Sequence, residues 1–266
     1  MNNRALKTYL EDQYRAFHRP EYLRMDPLVC LAPFARSEDI EIAALVAAAL
    51  AYGRAETIIR NVTEIFSRTG RSIADFAAGT TLAEKTRCFE GFKHRFTGGG
   101  AIAALLHSIG KVRLAGGSLE TLFAEGFREA DPTIRRGLEH FTGTLRRLAE
   151  ETASSSQAGV GYLLASPADG SACKRLNMYL RWMIRKNDGI DFGIWKTIPA
   201  SRLIMPVDTH VARISRRLGL TKRAAVDWRM AEEITGVLRM CDGADPVRYD
   251  FSLCRAGMVD FRREAA

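Results

Sequence analysis

The chain has 266 residues, 47% of them hydrophobic, and 39 Lys and Arg against 31 Asp and Glu give a net charge of +8. That much apolar material suffices for one large domain or two small lobes, while the longest apolar run, IAALVAAALAY at 42–52, is too short to cross a bilayer. The positive balance favours an anionic partner such as nucleic acid, and five cysteines without a C-x-x-C pair argue against a disulfide framework and suit a reducing cytoplasm.

Strand-forming runs are scarce, and Ala, Leu, Arg and Glu recur at helical spacing, so an all-α protein is expected. The amphipathic start MNNRALKTYLEDQYRAF lacks the apolar core of a secretion signal and predicts a helix over 3–17, ending before Arg19-Pro20. Ser37 and Asp39 are natural caps for a second helix through the Ala-rich stretch to Tyr52-Gly53. A third runs from Ala55 to Arg68 and stops at Gly70. The triplet Gly98-Gly99-Gly100 breaks the chain before helical segments at 101–115 and 118–130. A long exposed helix is expected over 133–151, and the run 154–170, SSSQAGVGYLLASPADG, reads as loop. Beyond it lie helical segments at 171–186, 208–218, 228–239 and 246–254. These elements suggest a monomeric globular unit, with a helical lobe over 30–160, a second lobe over 161–260 and the N-terminal helix packed across.

The segment SACKRLNMYLRWMIRK at 171–186 divides cleanly on a helical wheel. Ala172, Leu176, Tyr179, Leu180, Met183 and Ile184 form one apolar face. Lys174, Asn177, Arg181 and Arg185 fall opposite, predicting a cationic stripe, with Arg175 and Trp182 on a flank. Lysine in a first helical turn sits badly against the helix dipole, so a role other than helix stability is indicated for Lys174. The preceding turn PADGSAC brings backbone N–H groups to the helix start, where a phosphate can dock.

In the segment at 208–218, Val211, Ile214, Ser215 and Leu218 make a narrow buried stripe, and Arg213, Arg216 and Arg217 face away. Asp208 stands where an N-cap is expected, directly after Pro206-Val207. Capping keeps a carboxylate ionised and aimed, which is also what a group stabilising positive charge requires.

These two segments together resemble the helix-hairpin-helix DNA glycosylase superfamily, which includes endonuclease III and the archaeal 8-oxoguanine glycosylases. Gly170-Ser171-Ala172-Cys173-Lys174 is similar to its G-h-G-x-K hairpin, with alanine for the second glycine. Val207-Asp208-Thr209-His210-Val211-Ala212-Arg213 is similar to its V-D-T-H element, with the aspartate 34 residues beyond the lysine. A weaker likeness over 41–62 aligns Tyr52-Gly53-Arg54 with the turn that the superfamily pushes into duplex DNA. The whole chain is also similar to an uncharacterised bacterial family defined by a domain of unknown function.

The resemblance implies a two-lobed helical fold and a base-excision enzyme acting on an oxidised, 8-oxoguanine-like base in double-stranded DNA. In it Lys174 attacks C1′ of the sugar and Asp208 stabilises the sugar cation and takes up the amine's proton. Attack needs a neutral amine, which desolvation and a neighbouring cation such as Arg181 favour. Tyr52 or Arg54 would serve as the wedge for base flipping. Gly170, Arg175, Arg181, Thr209, His210, Arg213 and Arg216 would contact DNA, and Trp182, Trp195 and Pro206 would line the base pocket. The four-cysteine iron–sulfur motif of endonuclease III is missing, and the five histidines lack ligand spacing, so no cofactor or metal is expected. A hairpin module that binds nucleic acid without chemistry, and a helical protein-binding scaffold, remain alternatives.

Overall fold

The longest apolar run of the sequence becomes a helix buried on every side. In the computed structural model, which describes residues 3–151 and 159–264 apart from the side chains of Met25 and 258–264, every residue from Asp39 to Leu50 is buried. The chain is mostly helical, with thirteen α-helices among the described residues. In chain order they are α1 (Asn3–Phe17), α2 (Ser37–Ala49), α3 (Ala55–Thr69), α4 (Ile73–Gly79) and α5 (Leu82–Cys88). A two-residue hairpin, β1 (Lys93–His94) and β2 (Thr97–Gly98), leads into α6 (Gly99–Leu114), α7 (Leu119–Gly126), α8 (Arg135–Glu150) and the single turn α9 (Val160–Leu163). Then follow α10 (Lys174–Ile184), α11 (Thr209–Leu218), α12 (Trp228–Cys241) and α13 (Asp250–Glu264). Helices α4 and α5 were not anticipated, because seven residues are too few for a periodicity to declare itself. Of the run expected to be loop, 154–158 lie outside the described residues, and α9 occupies part of the rest.

The contacts divide the chain into two compact units: Met1–Leu23, Asp131–Ile134 and Pro167–Ala266 form one, and Arg24–Ala130 with Arg135–Ser166 the other. The second is built on α2 and α6. Helix α2 packs on α3, α4 and the 3-10 turn Pro27–Leu31, and α6 on α4, α5 and α8. The α4–α6 approach is close enough that a Cβ on Gly110 would lie 1.9 Å from the Ala77 carbonyl oxygen. Two acids of α2 are buried because they cap neighbouring helices. Asp39 accepts hydrogen bonds from Ser72 Oγ at 2.7 Å and Ala74 N at 2.9 Å, at the start of α4. Glu41 accepts from Leu119 N and Glu120 N at 3.1 and 2.9 Å, at the start of α7. Asp39 therefore caps α4 and not its own helix, which starts behind Arg36 without a side-chain cap. Nor is α8 exposed throughout: Leu138, Phe141 and Leu145 are buried on one face.

Lys85 on α5 is fully buried, its amine donating to the Thr80 carbonyl at 2.5 Å and lying 5.7 Å from the centre of the Phe76 ring. Burial pulls its pKa from 10.5 down to about 8. A lysine with a depressed folded value costs stability while charged, and the cost fades as pH rises from about 8 to 10.5. Lys85→Met should consequently be more stable relative to wild type at pH ~7 than at pH ~10. Urea unfolding at both pH values measures this gap, and parallel curves would refute the buried-charge reading.

In the first unit α13 packs on α1 and α11, and α1 packs on α12 as well. After α10 the chain folds back over its end, where Phe192 N and Gly193 N donate to the Trp182 carbonyl at 2.9 and 3.1 Å, and Trp195 N donates to Met183 at 2.8 Å. Gly193 is required there: its φ is +59°, and a Cβ would stand 2.4 Å from the Arg185 carbonyl oxygen.

Candidate functional site

The return of the chain over α10 decides the fate of its polar face. Asn177, Arg181 and Arg185 are buried, at 0%, 3% and 2% exposure, so the expected cationic stripe does not exist. Arg181 binds Asp191 at 3.1 Å and Asp250 at 2.5 Å. Arg185 binds Asp188 at 3.1 Å and Asp245 at 2.8 Å and also meets Asp191. His18, the residue after α1, meets Asp188 at 2.9 Å. Two guanidiniums thus sit among four carboxylates, which satisfies buried charges that would otherwise be very costly. Arg181 is committed to this network and is withdrawn from the DNA-contacting set.

Lys174 is the first residue of α10 and is half-buried. The turn before it is shaped by Gly170 at φ +75° and Cys173 at φ +48°, the second a left-handed conformation rare for a non-glycine residue. Ala172, in the place of the expected hairpin glycine, is buried, and its carbonyl accepts from Asn177 Nδ2 at 3.0 Å. Ser171 holds the turn twice, accepting from Cys173 N at 3.1 Å and forming an antiparallel bridge with Asp227 before α12. No side chain caps α10. The Lys174 amine lies 3.3 Å from Met178 Sδ, one turn along the helix, a weak acceptor for an ammonium.

Asp208 caps α11 as the sequence indicates, its Oδ1 accepting from His210 N and Val211 N at 2.9 Å each. Val211, Ile214 and Ser215 are buried as expected, and Leu218 is half-buried. Lys174 and Asp208 form no described ion pair, yet both act on the same two groups of α13. Burial raises the Asp250 carboxyl, Arg181 and Lys174 pull it back, and Asp208 pushes it further up. Burial also raises the Cys254 thiol, to about 12, with Asp208 and Asp250 adding to the effect and Lys174 and Arg255 opposing it. Lys174, Asp208, Asp250 and Cys254 therefore share one electrostatic neighbourhood. Asp250 and Cys254 lie four residues apart on α13, and nothing in their local sequence separated them from an ordinary amphipathic helix.

The other expected contacts divide. Gly170, Thr209 and Arg216 are exposed, and Arg175, His210 and Arg213 are half-buried. Arg213 donates to the Gly257 carbonyl at 3.2 Å, tying α11 to α13. Arg216 donates to the carbonyls of Arg223 and Ala224 at 2.8 and 2.7 Å. Trp182, Trp195 and Pro206 are all buried, Trp195 edge-on to Tyr179 with ring centres 5.6 Å apart. They form core rather than an open base pocket. Tyr52 and Arg54 belong to the second unit, where Arg54 is exposed at the start of α3 and Tyr52 is half-buried.

Among the described residues no grouping of three His, Cys, Asp or Glu side chains could hold a metal ion, and no helix is long and apolar enough to cross a membrane. No curated protein and no solved structure matches the chain. A family model described as a protein of unknown function, DUF2400, matches residues 26–259, and the chain belongs to that family.

Proposed function

We propose that this protein is a DNA base-excision glycosylase with Schiff-base lyase activity, acting on an oxidised, 8-oxoguanine-like base flipped out of duplex DNA. The observation that carries the reading is that Lys174 and Asp208 both act electrostatically on Asp250 and Cys254 of α13. The hairpin-like turn at 170–174 and the capped V-D-T-H element at 207–210 support it through the likeness to the helix-hairpin-helix glycosylases. The net charge of +8 suits the partner.

In this reading the Lys174 amine attacks C1′, the bond from C1′ to the base breaks, and the base leaves with the bonding electron pair. Asp208 stabilises positive charge on the sugar and accepts the proton the amine loses. Opening of the sugar ring yields a protonated imine, from which loss of a C2′ proton expels the 3′ phosphate. Water then releases the lysine. The Cys254 thiol, pushed up to about 12, stays protonated at neutral pH and does not compete as nucleophile.

The test is a panel of duplexes, each carrying one lesion, incubated with the full chain with and without borohydride. A covalent protein–DNA adduct with at least one oxidised base or an abasic site is expected. Salt-sensitive DNA binding with no adduct on any duplex would overturn the enzymatic reading in favour of a binding module.

A further inference from the structure

The turn aligned above with the superfamily's inserted element, Tyr52-Gly53-Arg54, is not where the second unit presents its most exposed aromatic ring. That ring is Phe96, 75% exposed at the tip of the β1–β2 hairpin. We propose that the hairpin tip is a stacking site for an unpaired nucleobase, with Phe96 supplying the stacking face and Arg95, Lys93 and Arg54 the phosphate contacts. The inference rests on the nucleic-acid partner proposed above and not on the chemistry at Lys174.

The hairpin is held more firmly than four paired residues require. Tyr52 Oη bonds the His94 carbonyl at 2.9 Å and Thr97 Oγ1 at 2.7 Å. Asn61 Nδ2 donates to the Lys93 carbonyl at 3.3 Å and to His94 Nδ1 at 3.0 Å. An accepting Nδ1 leaves the proton of the neutral ring on Nε2, which donates to the Tyr52 carbonyl at 3.1 Å. His94 itself is completely buried. This anchoring sustains a left-handed conformation at Arg95, φ +52°, which is costly for a non-glycine residue. The outcome is a rigid support that lifts one phenyl ring into solvent. The Arg95 guanidinium lies 5.5 Å from the ring centre, and Tyr162, itself 44% exposed, stands edge-on at 6.1 Å.

Charge and surroundings point to the occupant. The hairpin, residues 93–98, carries Lys93 and Arg95 and no acid, and Arg54 adds a third cation, while the exposed acids Glu56 and Glu90 stand just outside in the sequence. The three cations are exposed. An aromatic anchor for a protein partner is surrounded by apolar surface from which charge is depleted. A projecting ring among cations instead matches single-strand recognition, in which bases of any sequence stack on aromatic faces and the backbone is held by basic side chains. Half-buried Tyr52, committed to His94 and Thr97, is the strut of this device and not its tip.

The experiment uses fluorescence anisotropy of a labelled single-stranded oligonucleotide, and of a duplex of the same sequence carrying a mismatched bubble, with the full chain. Phe96→Ala should weaken both by roughly 5- to 150-fold without altering the salt dependence, because a stacking face and no phosphate contact is lost. Lys93→Ala should lower the slope of log affinity against log salt by about one. Phe96→Trp should retain affinity, and its indole emission should be quenched on binding, which is separable because Trp182, Trp195 and Trp228 are buried. Full affinity in Phe96→Ala, or in Phe96→Leu, would overturn the stacking site, whatever the trapping assay shows. A positive result without any borohydride adduct would leave the stacking site standing and remove the enzyme.

Discussion

Lys174→Ala should abolish the borohydride-trapped adduct, while Lys→Ala changes elsewhere, at exposed Lys7 and Lys186 among them, leave it trappable. The expectation is all or none, because a Schiff base needs a primary amine and no partial substitute exists. Asp208 calls for a different replacement, since it also caps α11 through His210 N and Val211 N. Loss of a cap costs about 1 kcal/mol, and asparagine caps as well as aspartate does. Asp208→Asn therefore keeps the helix start and removes only the charge. Its thermal midpoint should stay within a few degrees of wild type while base release slows by about 10²- to 10³-fold, the usual consequence of losing one electrostatic stabiliser. Adduct formation persisting in Lys174→Ala would refute the assignment of the nucleophile. Unchanged base release in Asp208→Asn would reduce that residue to a cap.

Arg185→Met should be the most destabilising exchange in the first unit. Arg185 is 2% exposed and faces Asp188, Asp191 and Asp245, so its removal leaves buried Asp191 to Arg181, half-buried Asp188 to His18, and half-buried Asp245 without its arginine. Breaking a buried pair in this way costs about 3–5 kcal/mol. Lysine should rescue little, because a point charge does not reproduce a planar fork that serves several carboxylates. The pH dependence carries the diagnostic sign. In the wild type burial raises Asp188, but the hydrogen bond to His18 and the charge of Arg185 outweigh it and hold the carboxyl far below its ordinary 3.8. That contribution is complete above the unfolded value and is lost as pH falls below it. Burial already raises Asp245 against the pull of Arg185. Without the arginine, burial is left to raise Asp245 further, the native state binds more protons there than the unfolded one, and stability climbs as pH is lowered from about 7 toward 5. Urea unfolding at these two pH values decides the matter: a loss below about 1 kcal/mol, or one that ignores pH, would contradict the network account.

The same network explains why the candidate site was only partly legible. The wheel of 171–186 identified its apolar face correctly: Ala172, Leu176, Tyr179, Leu180, Met183 and Ile184 are buried. It placed Arg181 and Arg185 in solvent because periodicity locates the first buried face of a helix and carries no information about a second covering. The partners of these arginines come from residues 188 to 250, and the Arg181–Asp250 pair spans 69 positions. Trp182 and Trp195, expected to line a pocket, are buried as well. Asp250 and Cys254 do not stand out in the sequence, since an acid and a cysteine one turn apart on a helix are unexceptional until two other helices bring charges to them.

Local chemistry was enough for several other features. The limits of α1, the stop of α3 at Gly70, the mostly helical character and the cap at Asp208 each depend on residues a few positions apart, where capping bonds and helical period act directly. Tertiary structure alone decided which cations are free to meet a partner and which aromatic reaches solvent. Arg181 is neutralised inside the protein and Phe96 is lifted out of it, and neither fate is encoded in neighbouring residues. Both follow from pairing between distant segments, in which the cost of desolvating a charge or fixing a left-handed residue is offset by groups that sequence proximity does not reveal.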